Sequence, residues 1–164
     1  MATTAQRLLA DRMKIPALVP GEIVIFYRWL ELHPTEYDRF DFDMRIGQGE
    51  DPGPTFDQKL RDMWLHNTRL RLDAVGYVGA APTILEVKDD AGPAAVGQLL
   101  TYGKIWTVEQ RSAIPPKLRL VCRTFSGNIL PIVRDAGITL DQVDVSPDQM
   151  RHALGLTRFG GRSK

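Results

Sequence analysis

Residues 69–88 read RLRLDAVGYVGAAPTILEVK. Up to residue 78, Leu70, Leu72, Ala74, Gly76 and Val78 alternate with Arg69, Arg71, Asp73, Val75 and Tyr77, which is the period of a β-strand. GAAP at 79–82 breaks the pattern, and TILEVK at 83–88 is rich in β-branched residues, so a second strand and a hairpin are expected. Side chains two apart on a strand share a face, which puts Glu86 with Lys88. With Ala80 and Ala81 as a two-residue turn, Asp73 lies opposite Lys88 and diagonal to Glu86 on that face. Two carboxylates so placed suit a hard cation such as Mg²⁺, which takes oxygen ligands and leaves positions for water or phosphate. The Lys88 ammonium could then orient or help deprotonate an attacking water, or stabilise charge on a scissile phosphate. The chemistry indicated is phosphodiester hydrolysis. Arg69 and Arg71 are expected on the Asp73 face, where they would form a basic entrance for a nucleic-acid backbone.

Moving outward, residues 93–110 set Val96, Leu99, Leu100, Gly103 and Trp106 on one side of a helix with Pro93 near its start. After an Ile-Pro-Pro break, residues 118–125 read as a strand, 128–136 as a short helix and 138–145 as a final strand. Upstream, 56–66 could add a helical turn or two, and GQGEDPGP at 47–54 packs three glycines and two prolines into a segment expected to be a mobile loop. Arg39–Ile46 alternates Phe40, Phe42, Met44 and Ile46 with charged residues, predicting a strand with one buried side. Residues 21–33 place Ile23, Phe26, Tyr27 and Leu30 on one helical face, with Pro34 at the exit. A short helix over 1–14 is expected to stop at Pro16 and Pro20. The reading is one domain over 20–145, with an N-terminal extension at 1–19 and a basic C-terminal tail at 146–164.

With 164 residues and 43 % apolar content, the chain can build a core without disulfides or a structural metal. Its single cysteine, Cys122, and the lack of a signal-peptide pattern or long apolar run predict a reducing, cytoplasmic setting with no membrane insertion. The formal net charge of +1 does not by itself indicate nucleic acid, although Arg151, Arg158, Arg162 and Lys164 all follow the last acid, Asp148. His33, His66 and His152 lack metal-ligand spacing, and GQGEDP continues into neither a dinucleotide nor a phosphate-loop motif. Trp29 and Trp106 sit where core packing is expected, and Trp64 is open between packing and base stacking.

The ordered set LDAVGYVG, TILEVK and a helix carrying GQLLTY resembles the motifs of the PD-(D/E)XK nuclease superfamily, over roughly residues 20–145. Gln98 and Tyr102 match the Gln-x-x-x-Tyr signature of its RecB-like branch, and their spacing puts both on one helical face. The resemblance implies an α/β, restriction-endonuclease-like core: a central mixed β-sheet of four or five strands flanked by helices. It also implies DNA cleavage by Asp73, Glu86 and Lys88, with Gln98 and Tyr102 in the site and Mg²⁺ or Mn²⁺ held by Asp73, Glu86, the Val87 carbonyl and an acid from the first helix. Glu22 is the preferred acid; Glu31 lies at the other end of that helix, and His33 could stand for the RecB-like histidine. Leu72 replaces the family's proline. With little room for a sequence-reading module, targeting is expected from a homo-oligomer or a larger assembly. A repair or processing enzyme, a junction resolvase and a virion-associated head-completion nuclease all fit. The rival reading is a non-enzymatic connector that keeps the fold.

Overall fold

The computed structural model describes residues 7–8, 14–110 and 114–155. Strands β1 (Arg39–Ile46), β2 (Leu70–Val78), β3 (Ala81–Ala91), β4 (Lys117–Phe125) and β5 (Thr139–Gln142) form one sheet in sequence order. Helix α1 (Pro20–Leu32) precedes β1, α2 (Gln58–Thr68) joins β1 to β2, and α3 (Pro93–Gln110) joins β3 to β4. A 3₁₀ turn (Gly127–Ile129) and α4 (Leu130–Asp135) lead to β5, and α5 (Pro147–Ala153) follows. A tight turn makes β2 and β3 antiparallel, as are β1 and β2. The helical crossovers return the chain so that β3, β4 and β5 run parallel. The sheet is therefore mixed and helix-flanked, an α/β arrangement with five strands.

Both faces are covered, which explains the nearly continuous apolar run of TILEV. Ala74, Leu85, Val87 and Val121 pack under Ile25, Phe26, Trp29 and Leu30 of α1. Val75, Ile84, Leu120 and Cys122 meet Val96, Leu99, Tyr102 and Trp106 of α3 on the opposite face. Burying each large side chain contributes roughly 1.5–3 kcal/mol. The core also draws on segments outside 20–145: Ile15 and Leu18 join the α1 layer, as does Met150 of α5. The expected helix over 1–14 lies outside the described residues except at Arg7 and Leu8, which are helical, and at Lys14, which is not.

The hairpin register differs from the expected one. Val78 faces Ala81, so the turn is Gly79–Ala80, and Gly79 takes the positive φ of 57° that a glycine-first tight turn requires. This slides β3 two residues against β2, and the ladder ends at Ala74 and Leu85, one step before Asp73 and Glu86. The single buried side expected for β1 is also corrected. Phe42 packs on the α1 layer and Met44 on the α3 layer, as do Ala74 and Leu72 on the neighbouring strand. The switch falls at Asp43, whose φ is 57°, a left-handed conformation that Asp tolerates because its side chain can bond locally.

At the edge away from β1, Arg119 is 7 % exposed and ties four elements together. It donates from Nε to Asp141 Oδ2 at 2.6 Å and from Nη1 to the Tyr37 hydroxyl at 2.9 Å, and it also pairs with Glu36. Trp29 Nε1 donates to the same Asp141 oxygen at 2.7 Å. Burial alone would lower the guanidinium's pKa, but the bonds to Glu36 and Asp141 hold it above its ordinary value. Removing one partner of such a pair strands the other, so Arg119→Ala is expected to lower stability by about 3 kcal/mol in urea unfolding. A loss below about 1 kcal/mol would show that water replaces the guanidinium.

Candidate active site

Strand β2 supplies Asp73, β3 supplies Glu86, Val87 and Lys88, α1 supplies Glu22, and α3 supplies Gln98 and Tyr102. Beyond the end of the hairpin ladder, the Asp73 side chain replaces a backbone partner: its Oδ2 accepts from the Val87 N–H at 2.9 Å. The carboxylate is thereby fixed between the two strands. In a strand the N–H and C=O of one residue leave on the same edge, so the Val87 carbonyl faces the same gap.

Lys88 Nζ lies 2.8 Å from Glu86 Oε1, 3.5 Å from Glu22 Oε1 and 4.0 Å from Asp73 Oδ2. One ammonium thus serves three carboxylates. Glu22 is held at the head of α1, where its Oε2 accepts from the Val19 N–H at 3.2 Å. Asp73 and Glu86 are 8 % and 1 % exposed, and Glu86 Oε2 is buried with no hydrogen-bond partner. An orphaned carboxylate oxygen at that depth costs several kcal/mol unless it is protonated or meets a cation.

The titration of the cluster follows from this crowding. Burial, then the charge of Glu86, pushes Asp73 up to about 7. Burial also raises Glu86, with Lys88 opposing. Burial would lower Lys88, but Glu86, Asp73 and Glu22 more than reverse it and hold the ammonium above its ordinary value. Tyr102 is pushed up to about 12 by burial, then by the charges of Glu86 and Asp73, so its hydroxyl stays neutral. Gln98 is exposed and donates from Nε2 to the Tyr102 hydroxyl at 3.3 Å. Gln98 and Tyr102 are thus joined to each other on α3, and the charges of Glu86 and Asp73 are felt at the Tyr102 hydroxyl.

The other expectations separate by place. Glu31 pairs with Arg28 at 3.0 Å on the surface, and His33 stacks on Trp29 and meets Glu36 at 2.7 Å in the Arg119 cluster. Among the candidate first-helix residues, only Glu22 contacts Lys88. The expected basic entrance is not formed: Arg69 pairs with Glu109 of α3, while Arg71 pairs with Asp43 and the Pro16 carbonyl. Trp106 is buried, whereas Trp64 is 47 % exposed on α2, which buries none of its own residues. Sequence reasoning missed Asp43, which pairs with Arg71; an aspartate amid strand-forming residues was the available signal.

Among the described residues, no three His, Cys, Asp or Glu side chains are gathered as a ready ligand set for a metal. The ammonium of Lys88 sits among the carboxylates and serves as their cation. The donor set nevertheless fits a hard divalent ion, because two buried acids share a gap and one of their oxygens has no partner.

No family model and no curated protein matches the sequence. Among solved structures, the chain is similar to a repair endonuclease from Pyrococcus abyssi, with 17 % identity over 45 % of this chain and 33 % of that one and a TM-score of 0.39. It is also similar to the protein of the EndoMS-dsDNA2 complex, with 15 % identity over 80 % of this chain and 47 % of that one and a TM-score of 0.44. The matches span about a third and about half of those two chains. What the site can do therefore rests on its own geometry.

Proposed function

We propose that the chain is a metal-dependent nuclease that hydrolyses DNA phosphodiester bonds. The observation that carries this reading is the buried Asp73 and Glu86 pair beside Lys88, with Glu86 Oε2 unpartnered. Asp73, Glu86, the Val87 carbonyl and Glu22 would hold Mg²⁺ or Mn²⁺. When bound, the ion would supply a Lewis acid for the phosphoryl group and neutralise the acids. Lys88 donates to the attacking water or to a non-bridging phosphate oxygen, where its charge counts most as the phosphate gains negative charge. Tyr102 stays neutral, with its hydroxyl held by Gln98 on the helix that follows β3. The Asp73 bond to the Val87 amide keeps both strands in register at the reacting centre, so the acids need little reorganisation.

The reading takes DNA as partner and leaves targeting to an oligomer or larger assembly, in the cytoplasm or with a virion. It is tested by incubating the protein with supercoiled, linear duplex and single-stranded DNA in Mg²⁺ or Mn²⁺. Cutting of at least one substrate, abolished by EDTA, is expected. A folded protein that cuts none of them, with either ion, would shift the reading to a connector that keeps the fold.

A further inference from the structure

Toward the start of β3, roughly 10 Å along the strand from Glu86, the parallel register gathers a second group of polar side chains. Thr83 of β3 lies beside Lys117 of β4, and Arg119 of β4 lies beside Thr139 of β5. Residues two apart on a strand share a face, so Lys117 and Arg119 stand on one side of the sheet with these two neighbours. Glu36 and Tyr37, from the segment between α1 and β1, meet them there. Between these side chains lies a cavity of about 150 Å³, space for several waters, whose polar lining is formed by Glu36, Tyr37, Thr83, Lys117, Arg119 and Thr139.

The lining is rich in donors. Arg119 spends Nε on Asp141 and Nη1 on Glu36 and Tyr37, and its Nη2 makes no bond among the described residues. The Tyr37 hydroxyl accepts from Arg119, which leaves its own proton to donate. The Thr83 and Thr139 hydroxyls and the Lys117 ammonium have no side-chain partner among the described residues. Tyr37, Thr83 and Arg119 are all buried, so these donors are set in place rather than free on the surface. The acid of the lining is Glu36, already shared by Arg119 and His33. Lys117 and Arg119 balance Glu36 and Asp141 in charge, so selection here comes from hydrogen bonds rather than from a net positive field.

We propose that this cavity binds a terminal phosphate group, as inorganic phosphate or a phosphomonoester. Arg119 Nη2, Lys117 and the three hydroxyls hold the phosphate oxygens, and the proton that the phosphate retains is donated to Glu36. That carboxylate makes the site selective. It can only accept, so it bonds a P–OH but opposes sulfate or a phosphodiester, neither of which carries a proton. The inference does not rest on the nuclease reading.

The test is calorimetry in metal-free buffer at fixed ionic strength and about pH 6, near the second pKa of a phosphomonoester. The ligands are inorganic phosphate, a nucleoside 5′-monophosphate, sulfate and dimethyl phosphate. Phosphate or the monophosphate is expected to bind at one site at least about 10-fold tighter than sulfate and dimethyl phosphate, the ratio that one charge-assisted hydrogen bond supplies. Lys117→Gln and Thr83→Val keep the Arg119 bonds and should each weaken that binding about 5–10-fold, while Lys104→Gln on α3 should leave it unchanged. Glu36→Gln should erase the discrimination, because an amide can donate to sulfate. Tighter binding of the monophosphate assigns a phosphorylated nucleotide or chain end as ligand, and the reverse order assigns free phosphate. Absence of saturable binding of both, sulfate bound as tightly by wild type, or undiminished binding in the Lys117 and Thr83 variants overturns the inference. DNA cleavage is not read in this experiment, so none of these outcomes bears on the nuclease reading.

Discussion

In metal-free buffer at pH 8, Asp73→Asn is expected to be more stable than wild type by about 2–4 kcal/mol, and Lys88→Met less stable by about 2–4 kcal/mol. The first sign follows from the raised Asp73 value. A carboxyl that titrates near 7 when folded and near 3.8 when unfolded binds its proton more tightly in the native state. Its stabilising contribution is complete below about 3.8 and is lost as pH rises through about 7. Asparagine removes the charge and can still accept from the Val87 amide, so it keeps the bond that orders the two strands. The second sign follows from the Lys88 contacts. Without the ammonium, Glu86 loses its 2.8 Å partner and both of its oxygens are orphaned. The Lys88→Met defect should shrink at pH 5, where the acids can take up protons, and urea unfolding at the two pH values measures it. Equal stability of wild type and both variants at pH 8 would mean that the cluster is far better solvated than its burial indicates.

Divalent cation should reverse the unfavourable term. Saturating Mn²⁺, at about a hundred times its Kd, is expected to stabilise wild type by about 2.7 kcal/mol, a rise in Tm of roughly 5–10 °C. The ion binds deprotonated carboxylates, so its affinity should strengthen as pH rises through about 7, the value to which Asp73 is pushed. Glu86→Gln should lose most of the Mn²⁺ effect while gaining stability in its absence. A site that trades metal-free stability for ion binding is expected to show that opposition, whereas a surface acid would show neither. A Glu86→Gln protein with the full Mn²⁺ shift would place the ion elsewhere.

Much of this arrangement was legible in the sequence, because the hairpin and the long helix carry strong periodic patterns. Residues 39–46 and 93–110 form the expected elements with unchanged boundaries. The meeting of Asp73, Glu86 and Lys88 was legible because Glu86 and Lys88 share a strand face whatever the register, and Asp73 approaches them across the adjoining strand. The register itself was not legible: GAAP offers two adjacent two-residue turns, and the positive φ available to Gly79 selected the earlier one. Nor could alternation show that β1 changes face at Asp43, since the apolar period continues unbroken while the backbone does not.

The ends of elements were less visible. The strand expected over 138–145 is a strand only at Thr139–Gln142; the Val143 N–H still bonds the Cys122 carbonyl, and Val143 and Val145 pack in the α1 layer. Strand β3 runs past Lys88 to Ala91 because Asp89 and Asp90 find Arg123 and Thr124 on the neighbouring strand, contacts that a single strand's pattern does not contain. The described part of the supposed tail contains α5, whose only buried residue is Met150. Its start was nonetheless written in Ser-Pro-Asp-Gln at 146–149, a capping-box pattern. The Arg119 cluster joins residues up to 112 positions apart and had no local signature.

Cleavage of DNA by metal-stripped wild type, Asp73→Asn and Lys88→Met across one Mn²⁺ titration tests the site most directly. Product should appear only with Mn²⁺, at concentrations that also raise the wild-type Tm, and both folded variants should cut at least about 10²–10³-fold more slowly. Undiminished cutting by both variants, or none by a wild-type protein that binds Mn²⁺ at this site, would contradict the assignment of Asp73, Glu86 and Lys88 as the catalytic centre.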